Sequence, residues 1–364
     1  MTSEQLISFA RGAPSLDIVD ITGLKAAAAS AFDADPAGMT AYGTSVGYPP
    51  LRRWIAARHG VEVDQVLVTN GSLQADAFVF EHLVRAGEPV VVERPTYDRT
   101  LLNLRALGAG VHQVTLEPDG LDVAELRALL ESGVRPTLAH VIPNYQNPAG
   151  VTLSLAKRRV LLELAAEFGF TLFEDDPYAD IRFRGEPLPS MLSLDPSGVV
   201  LHASSFTKTV CPGVRVGYLI GPAEVIAAIA RRATNLYISP GMVAQAIVYQ
   251  FCASGAITAS IGTVCAALRE RAALLAAALR EHLPQARFTE PDGGYFLWVE
   301  LPEQVRVDAL LPAAAQRGVA VVKGSDFLLE GGHSALRLAY SAVRRDEIEP
   351  GVRRLAAAVD AVSG

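Results

Sequence analysis

The chain has 364 residues, half of them hydrophobic and a fifth charged, which is enough for about two domains with a sizeable core. With 32 basic and 39 acidic side chains the net charge is −7, which speaks against a phosphate-backbone partner, so no nucleic acid is expected. Cys211, Cys252 and Cys265 cannot all pair and form no CxxC, so free thiols in a reducing, cytoplasmic compartment are expected instead of disulfides or a zinc ribbon.

In chain order, the opening MTSEQLISFARG has neither the basic region nor the long apolar run of a secretory signal. Apolar runs at 65–69, 89–93, 111–116, 137–142, 170–175, 199–203 and 214–220 read as strands, with helical patterns between them at 72–84 and 154–168. Ser154 is placed to cap the second of these helices, on which Val160, Leu161, Leu164 and Phe168 share a face. Strands that are apolar throughout and separated by helices predict a mostly parallel sheet covered on both faces, with ligands at the carboxyl ends of its strands. No charged residue stands between Arg232 and Arg269, but Pro240, Gly241, Gln245, Gln250, Ser254 and Gly255 break that stretch. It predicts a buried or interface helix, not a membrane span. The last third reads as an α+β unit: a long helix over 258–282, strands at 294–301, 319–322 and 335–340, a helix over 308–317, and a final amphipathic helix with Ile348, Val352, Leu355 and Val359 on one face.

Five clusters follow predicted strands. In Thr69-Asn70-Gly71-Ser72-Leu73-Gln74 a strand passes through glycine into a helix whose N-terminus suits an anion or is simply a capped helix start. Glu93-Arg94-Pro95-Thr96-Tyr97 offers Tyr97 for stacking on a planar ligand or for packing. Pro143-Asn144-Tyr145-Gln146-Asn147-Pro148-Ala149-Gly150 is a rigid turn that leaves Asn147 free to donate. Phe173-Glu174-Asp175-Asp176-Pro177-Tyr178 ends an apolar strand in three acids, and a buried carboxylate needs a partner. The seven histidines are scattered without ligand spacing, so an organic cation suits these acids better than a metal. Finally, Ser204-Ser205-Phe206-Thr207-Lys208 with Pro212-Gly213-Val214-Arg215-Val216-Gly217 sets a candidate Schiff-base lysine after a buried strand.

In order and spacing TNGSLQA, ERPTY, YQNPAG, FEDDPY, SSFTK with PGVRVGY, PDGGYFLW and LRLAYS resemble fold-type I pyridoxal-phosphate enzymes of the aminotransferase class I/II family, in the aminoadipate/kynurenine and MocR-like branch, from about Ile7 to the C-terminus. The resemblance implies an α/β fold. It has a large domain (41–270) with a mostly parallel seven-stranded sheet covered by helices. A smaller α+β domain is formed by the N-terminal segment (1–40) and the C-terminal part (271–364). It implies that Lys208 holds pyridoxal 5'-phosphate as a Schiff base and shuttles the proton, that Asp175 faces the ring nitrogen, and that Tyr178 and Asn147 bond the phenolic oxygen. Tyr97 would stack on the ring, while Ser72, the backbone near Leu73, Ser205 and Arg215 would hold the phosphate. Tyr42 would reach the neighbouring subunit's phosphate, which implies a homodimer with shared sites. Arg337 would take the substrate α-carboxylate, and Gly12 lies in a segment that closes over substrate. Arg11, Leu73 and Lys323 depart from the family's usual glycine, glutamine and proline; Arg11 and Lys323 either add charge near the substrate side chain or are solvated. The expected reaction is ping-pong transfer of an amino group between an L-amino acid and a 2-oxo acid. The alternatives are elimination, replacement, cyclisation or decarboxylation in a biosynthetic pathway, or a MocR-type sensing module, which the absence of a winged helix before the catalytic segment disfavours.

Overall fold

The computed structural model describes residues 6–363, so Met1–Gln5, on which part of the N-terminal reading falls, and Gly364 lie outside the described residues. The strands in chain order are β1 (Ile7–Ser8), β2 (Val66–Thr69), β3 (Pro89–Arg94), β4 (Gly110–Glu117), β5 (Gly120–Leu121), β6 (Leu138–Val141), β7 (Thr171–Asp175), β8 (Val200–Ser205), β9 (Gly217–Ile220), β10 (Phe296–Glu300), β11 (Val319–Ala320), β12 (Val322–Lys323) and β13 (Ala335–Ala339). The helices are α1 (Ile21–Ala34), α2 (Pro36–Thr40), α3 (Pro49–His59), α4 (Ser72–Leu83), α5 (Asp98–Ala106), α6 (Val123–Glu131), α7 (Leu155–Phe168), α8 (Met191–Leu194), α9 (Ala223–Tyr237), α10 (Met242–Ala253), α11 (Ala256–His282), α12 (Val307–Gln316) and α13 (Arg345–Ser363).

The large sheet has the order β2-β9-β8-β7-β6-β3-β4-β5. Seven strands match the expected ones. The eighth, β5, is a two-residue antiparallel return of β4 that is too short to leave a sequence pattern. β8, β7, β6, β3 and β4 run parallel, whereas β9 runs against both β2 and β8. β9 also starts later than its apolar run suggests, because Pro212–Val214 forms a 3-10 turn and Arg215 adopts a left-handed conformation at φ +50°. Buried residues of β2, β6, β7, β8 and β9 pack on one face against α4 and α9 (Phe78, Phe80, Ile226, Ile229) and on the other against α7 (Leu161, Leu164) and α10 (Ala246, Phe251). Ser154 accepts from the Lys157 N–H and caps α7 as expected.

The expected strand at 319–322 is two. β11 pairs in parallel with β1, then the chain crosses at buried Val321 and β12 pairs with β13. β13 lies between β12 and β10, and Ile348, Val352, Leu355 and Val359 of α13 are fully buried beside them. The charge-free stretch folds into the end of α9, α10 and the start of α11, the last two meeting at 86°. Among the described residues no single helix is long and apolar enough to cross a membrane. α11 runs unbroken for 27 residues, so residue 270 lies within it.

Candidate active site

Three segments converge at the start of β9. Gly217 pairs with Thr69 on one side and Ser205 on the other. A side chain on Gly217 would place its Cβ 2.5 Å from the carbonyl carbon of Gly71 and 2.6 Å from the Ser72 nitrogen, so only glycine lets the turn into α4 come this close. Gly71, at φ +82°, caps α4 and leaves the first-turn N–H groups of Ser72 and Leu73 open. Arg215 donates through Nη2 to the Asn70 carbonyl at 3.0 Å and through Nη1 to Thr207 Oγ1 at 3.3 Å. Ser205 donates to Thr207 Oγ1 at 2.7 Å. The result is a cup of hydroxyls, N–H groups and one guanidinium, suited to an anion. The Leu73 side chain is exposed, so only its backbone serves here.

The three acids after β7 have three fates. Glu174 pairs with His202 Nδ1 at 2.8 Å and accepts from the Met191 and Leu192 N–H groups. Asp176 accepts from Asn144 Nδ2 at 2.8 Å, and burial together with Glu174 raises its carboxyl to about 7. Asp175, on the opposite face, keeps one buried oxygen with no hydrogen-bond partner; His140 Nε2 lies 3.8 Å from the other. Two of the acids are therefore structural, and the organic-cation argument narrows to Asp175.

The turn after β6 is held from beneath by Arg158, fully buried on α7, which donates to the carbonyls of Leu153, Pro189 and Pro143 and to Asn144 Oδ1. Gln146 donates to Glu93, whose buried carboxyl is pushed up to about 8. Asn147 is thereby fixed and accepts from Arg337 Nη1 at 3.0 Å. Arg337 also donates to the Ala10 carbonyl at 2.9 Å and lies between Phe296 and Phe327, 4.4 and 4.9 Å from their ring centres. Only 7 % of it is exposed, its Nε has no partner, and no carboxylate of the described residues pairs with it. A buried cation in this state calls for an anion from outside.

Lys208 Nζ donates to the Gly12 carbonyl at 2.9 Å and faces the rings of Tyr295 and Tyr178 at 4.9 and 5.5 Å. Burial first and the Arg337 charge second lower its amine to about 8, against the opposing pull of Asp175. Burial raises the Tyr97 and Tyr178 phenols, both within electrostatic range of Asp175 and Arg337. Residues 9–15 strap this group down: Phe9 joins β11 and β13 through its backbone, Ala10 and Gly12 accept from the two cations, and Arg271 holds Ser15.

The structure thus gathers Lys208, Asp175, Tyr178, Tyr97, Asn147, Arg337 and Gly12, and beside them Ser72, Ser205 and Arg215. Arg11 and Tyr42 are exposed. Lys323 is half-exposed and lies 3.8 and 3.7 Å from Asp308 and Asp326, so its charge is already met. Sequence reasoning missed Asp76, His140, Thr207 and Tyr295, whose hydroxyl donates to the Lys208 carbonyl at 3.0 Å. The available signals were a lone acid in the apolar start of α4 and a lone histidine inside β6.

An anion cup, a buried carboxylate lacking a donor and a lysine of lowered basicity make the donor set of an enzyme that carries a phosphorylated pyridine on an amine. The Aminotransferase class I and II family matches residues 4–355, and the chain belongs to it. The chain is 31 % identical to 2-aminoadipate transaminase of Thermus thermophilus, over 97 % of this chain and 90 % of that one. It is 28 % identical to aromatic-amino-acid aminotransferase 1 of Thermococcus litoralis, over 97 % and 88 %. The solved α-aminoadipate aminotransferase of Thermus thermophilus, complexed with N-(5'-phosphopyridoxyl)-L-leucine, superposes with a TM-score of 0.93 at 31 % identity, covering 98 % of this chain and 92 % of that one. The fold is that of fold-type I enzymes, and the protein is a pyridoxal-phosphate-dependent aminotransferase; these matches favour neither the elimination and decarboxylation alternatives nor the sensing module.

Proposed function

We propose that Lys208 is the amine that carries the cofactor and moves the proton, and that Arg337 selects substrates by their α-carboxylate. The observation that carries this reading is the placement of the part-buried Lys208 amine, 2.9 Å from the Gly12 carbonyl and over the rings of Tyr295 and Tyr178, where desolvation and the Arg337 charge lower it to about 8 against the pull of Asp175. Pyridoxal phosphate, when bound, supplies an electron sink for the pair left behind when the substrate Cα–H bond breaks. The residues fit it. The partnerless Asp175 oxygen suits a protonated ring nitrogen better than it suits a metal, and the cup of Ser72, the Leu73 backbone, Ser205 and Arg215 suits the phosphate. Asn147 has its amide donor free for the phenolic oxygen while its carbonyl orients Arg337, and Tyr178, its ring 5.5 Å from the Lys208 amine, would share that oxygen. Tyr97, whose phenol lies within electrostatic range of Asp175 and Arg337, would stack on the ring.

Within this site Lys208 Nζ would take the proton from the substrate Cα and deliver it on the cofactor side of the substrate nitrogen, so that hydrolysis leaves the amino group behind, a role suited to an amine near neutrality. Arg337 turns its fork to the incoming carboxylate and holds the Cα–H bond in place. The strap with Gly12 covers the site, and its carbonyl holds the Lys208 amine until that amine is joined to the cofactor. The substrates are an L-amino acid and a 2-oxo acid in alternating half-reactions. The paired state of Lys323 argues against its attracting an acidic side chain, which leaves Arg11 as the candidate for that role. Tyr42, 87 % exposed, together with exposed Leu236, Ile238 and Val243, supports a homodimer in which Tyr42 reaches the neighbouring phosphate. The unpaired cysteines support a cytoplasmic setting. We divide the chain near residues 40 and 270, the smaller unit taking the N-terminal segment through the β1–β11 pairing.

The test is borohydride reduction of the holoenzyme followed by peptide mapping, with Lys208→Ala as control. Label on the peptide containing Lys208 and loss of turnover in the variant are expected; label elsewhere would overturn the assignment.

A further inference from the structure

Transamination by the residues above does not require Asp76. It sits in the second turn of α4, 1 % exposed, among Ala75, Phe78 and Phe80. Its Oδ1 has no hydrogen-bond partner, and neither do Asp175 Oδ1 or the two ring nitrogens of His140. One polar atom from each of Asp76, His140 and Asp175 lies within 4.8 Å of the others, a gap that a carboxyl rotation or one buried water spans. No lysine or arginine of the described residues pairs with either acid. The titratable groups facing Asp76 are Asp175 from β7, His140 from β6 and the Tyr97 phenol at the head of α5. Two carboxylates this close in a dry pocket do not both ionise; one keeps a proton and gives it to the other as a hydrogen bond.

We propose that Asp76 is a positioning residue, a neutral acid that donates its proton to Asp175 and so keeps Asp175 charged toward the cofactor's ring nitrogen. The inference rests on the assignment of Asp175 to that nitrogen. A donor on the far side of Asp175 lowers its proton affinity, so the bridging proton stays on the ring nitrogen and is not drawn onto the carboxylate. That is the state in which the ring withdraws electrons. Burial and the Asp175 charge push the Asp76 carboxyl well above the usual carboxylate range, as the arrangement requires.

Three measurements test it, using Asp76→Asn, which keeps a donor, and Asp76→Leu, which does not. In the apoprotein, a raised folded-state pKa means that wild-type stability falls as pH climbs past the ordinary carboxylate range, whereas the amide escapes that loss. The Tm of Asp76→Asn therefore gains on wild type between pH 5 and pH 9, by on the order of a few degrees. The infrared difference between wild type and Asp76→Asn at neutral pH shows one carboxylic-acid carbonyl band; the buried Glu93 and Asp176 contribute equally to both and cancel. With ring-labelled cofactor, the ring 15N resonance of the holoenzyme moves toward neutral pyridine in Asp76→Leu and stays in Asp76→Asn. A pH-independent Tm loss in Asp76→Asn, an absent band, or an unmoved resonance in Asp76→Leu overturns the proposal. Asp175→Asn separates the two levels: if it too leaves the resonance unmoved, the assignment of Asp175 fails instead.

Discussion

Lys208 Nζ and the carbonyl oxygen of Gly12, 196 positions apart in the chain, are joined by a 2.9 Å hydrogen bond. Gly12 also lies against Phe296, where an added Cβ would come within 2.5 Å of the ring, and that ring stacks on Arg337. Gly12→Ala should therefore displace Phe296 and disturb Arg337 without touching the cup. A KM for the amino donor raised about tenfold, with cofactor affinity unchanged, is expected from losing about 1.4 kcal/mol of carboxylate binding. Steady-state kinetics beside a cofactor titration measures both.

Arg337→Met removes a buried cation whose hydrogen-bond partners among the described residues are Asn147 and the Ala10 carbonyl. The loss in kcat/KM should be about 10²–10³-fold, the range for deleting one partner of a buried charge pair. It should be equally large for donors of different side chain, because the α-carboxylate is common to all. Amines without a carboxylate should show little loss.

Lys208 supplies a pH prediction. Its folded-state value of about 8 lies below the usual 10.5, so the unfolded chain binds more protons between those limits and stability rises with pH there. Below about 8 both states are protonated and burial of the charge costs its full amount. Apoprotein carrying Lys208→Met should thus melt above wild type at pH 7, and the advantage should shrink as pH passes 8 toward 10. A thermal-melt series across that range reads it. The rate at which wild-type apoprotein captures pyridoxal phosphate should climb with a midpoint near 8, because the neutral amine is the nucleophile.

Arg158→Ala should lower stability by about 3–5 kcal/mol, since it strips donors from three carbonyls and Asn144 inside the protein. The turn carrying Asn147 loses its support, so cofactor affinity should fall together with the melting temperature. Arg158→Lys should recover only part, because an ammonium cannot reproduce the spread of a planar fork.

Much of this site was legible because its parts are short and follow apolar strands. TNGSLQA, YQNPAG, FEDDPY and SSFTK each carry their own turn chemistry, and each lands at the carboxyl end of its strand in the large sheet. What escaped was set by long-range contact. Asp76 and His140 occupy ordinary helix and strand positions, and only the packing of α4 over β6 and β7 makes neighbours of them. The three acids of FEDDPY are alike in sequence but not in environment, since His202 and Asn144 come from 28 and 32 residues away. The break at Val321 was equally invisible, because an apolar run does not reveal that its two halves serve different sheets.

The reversed direction of β9 has a consequence for evolution and engineering alike. Were this four-residue strand to run with its neighbours, Arg215 would enter from the opposite border of the sheet, about 13 Å from Asn70 and Thr207. Grafting the anion-holding segments onto an all-parallel scaffold would therefore deliver the hydroxyls without their guanidinium, so the orientation of one short strand must be inherited along with the loops.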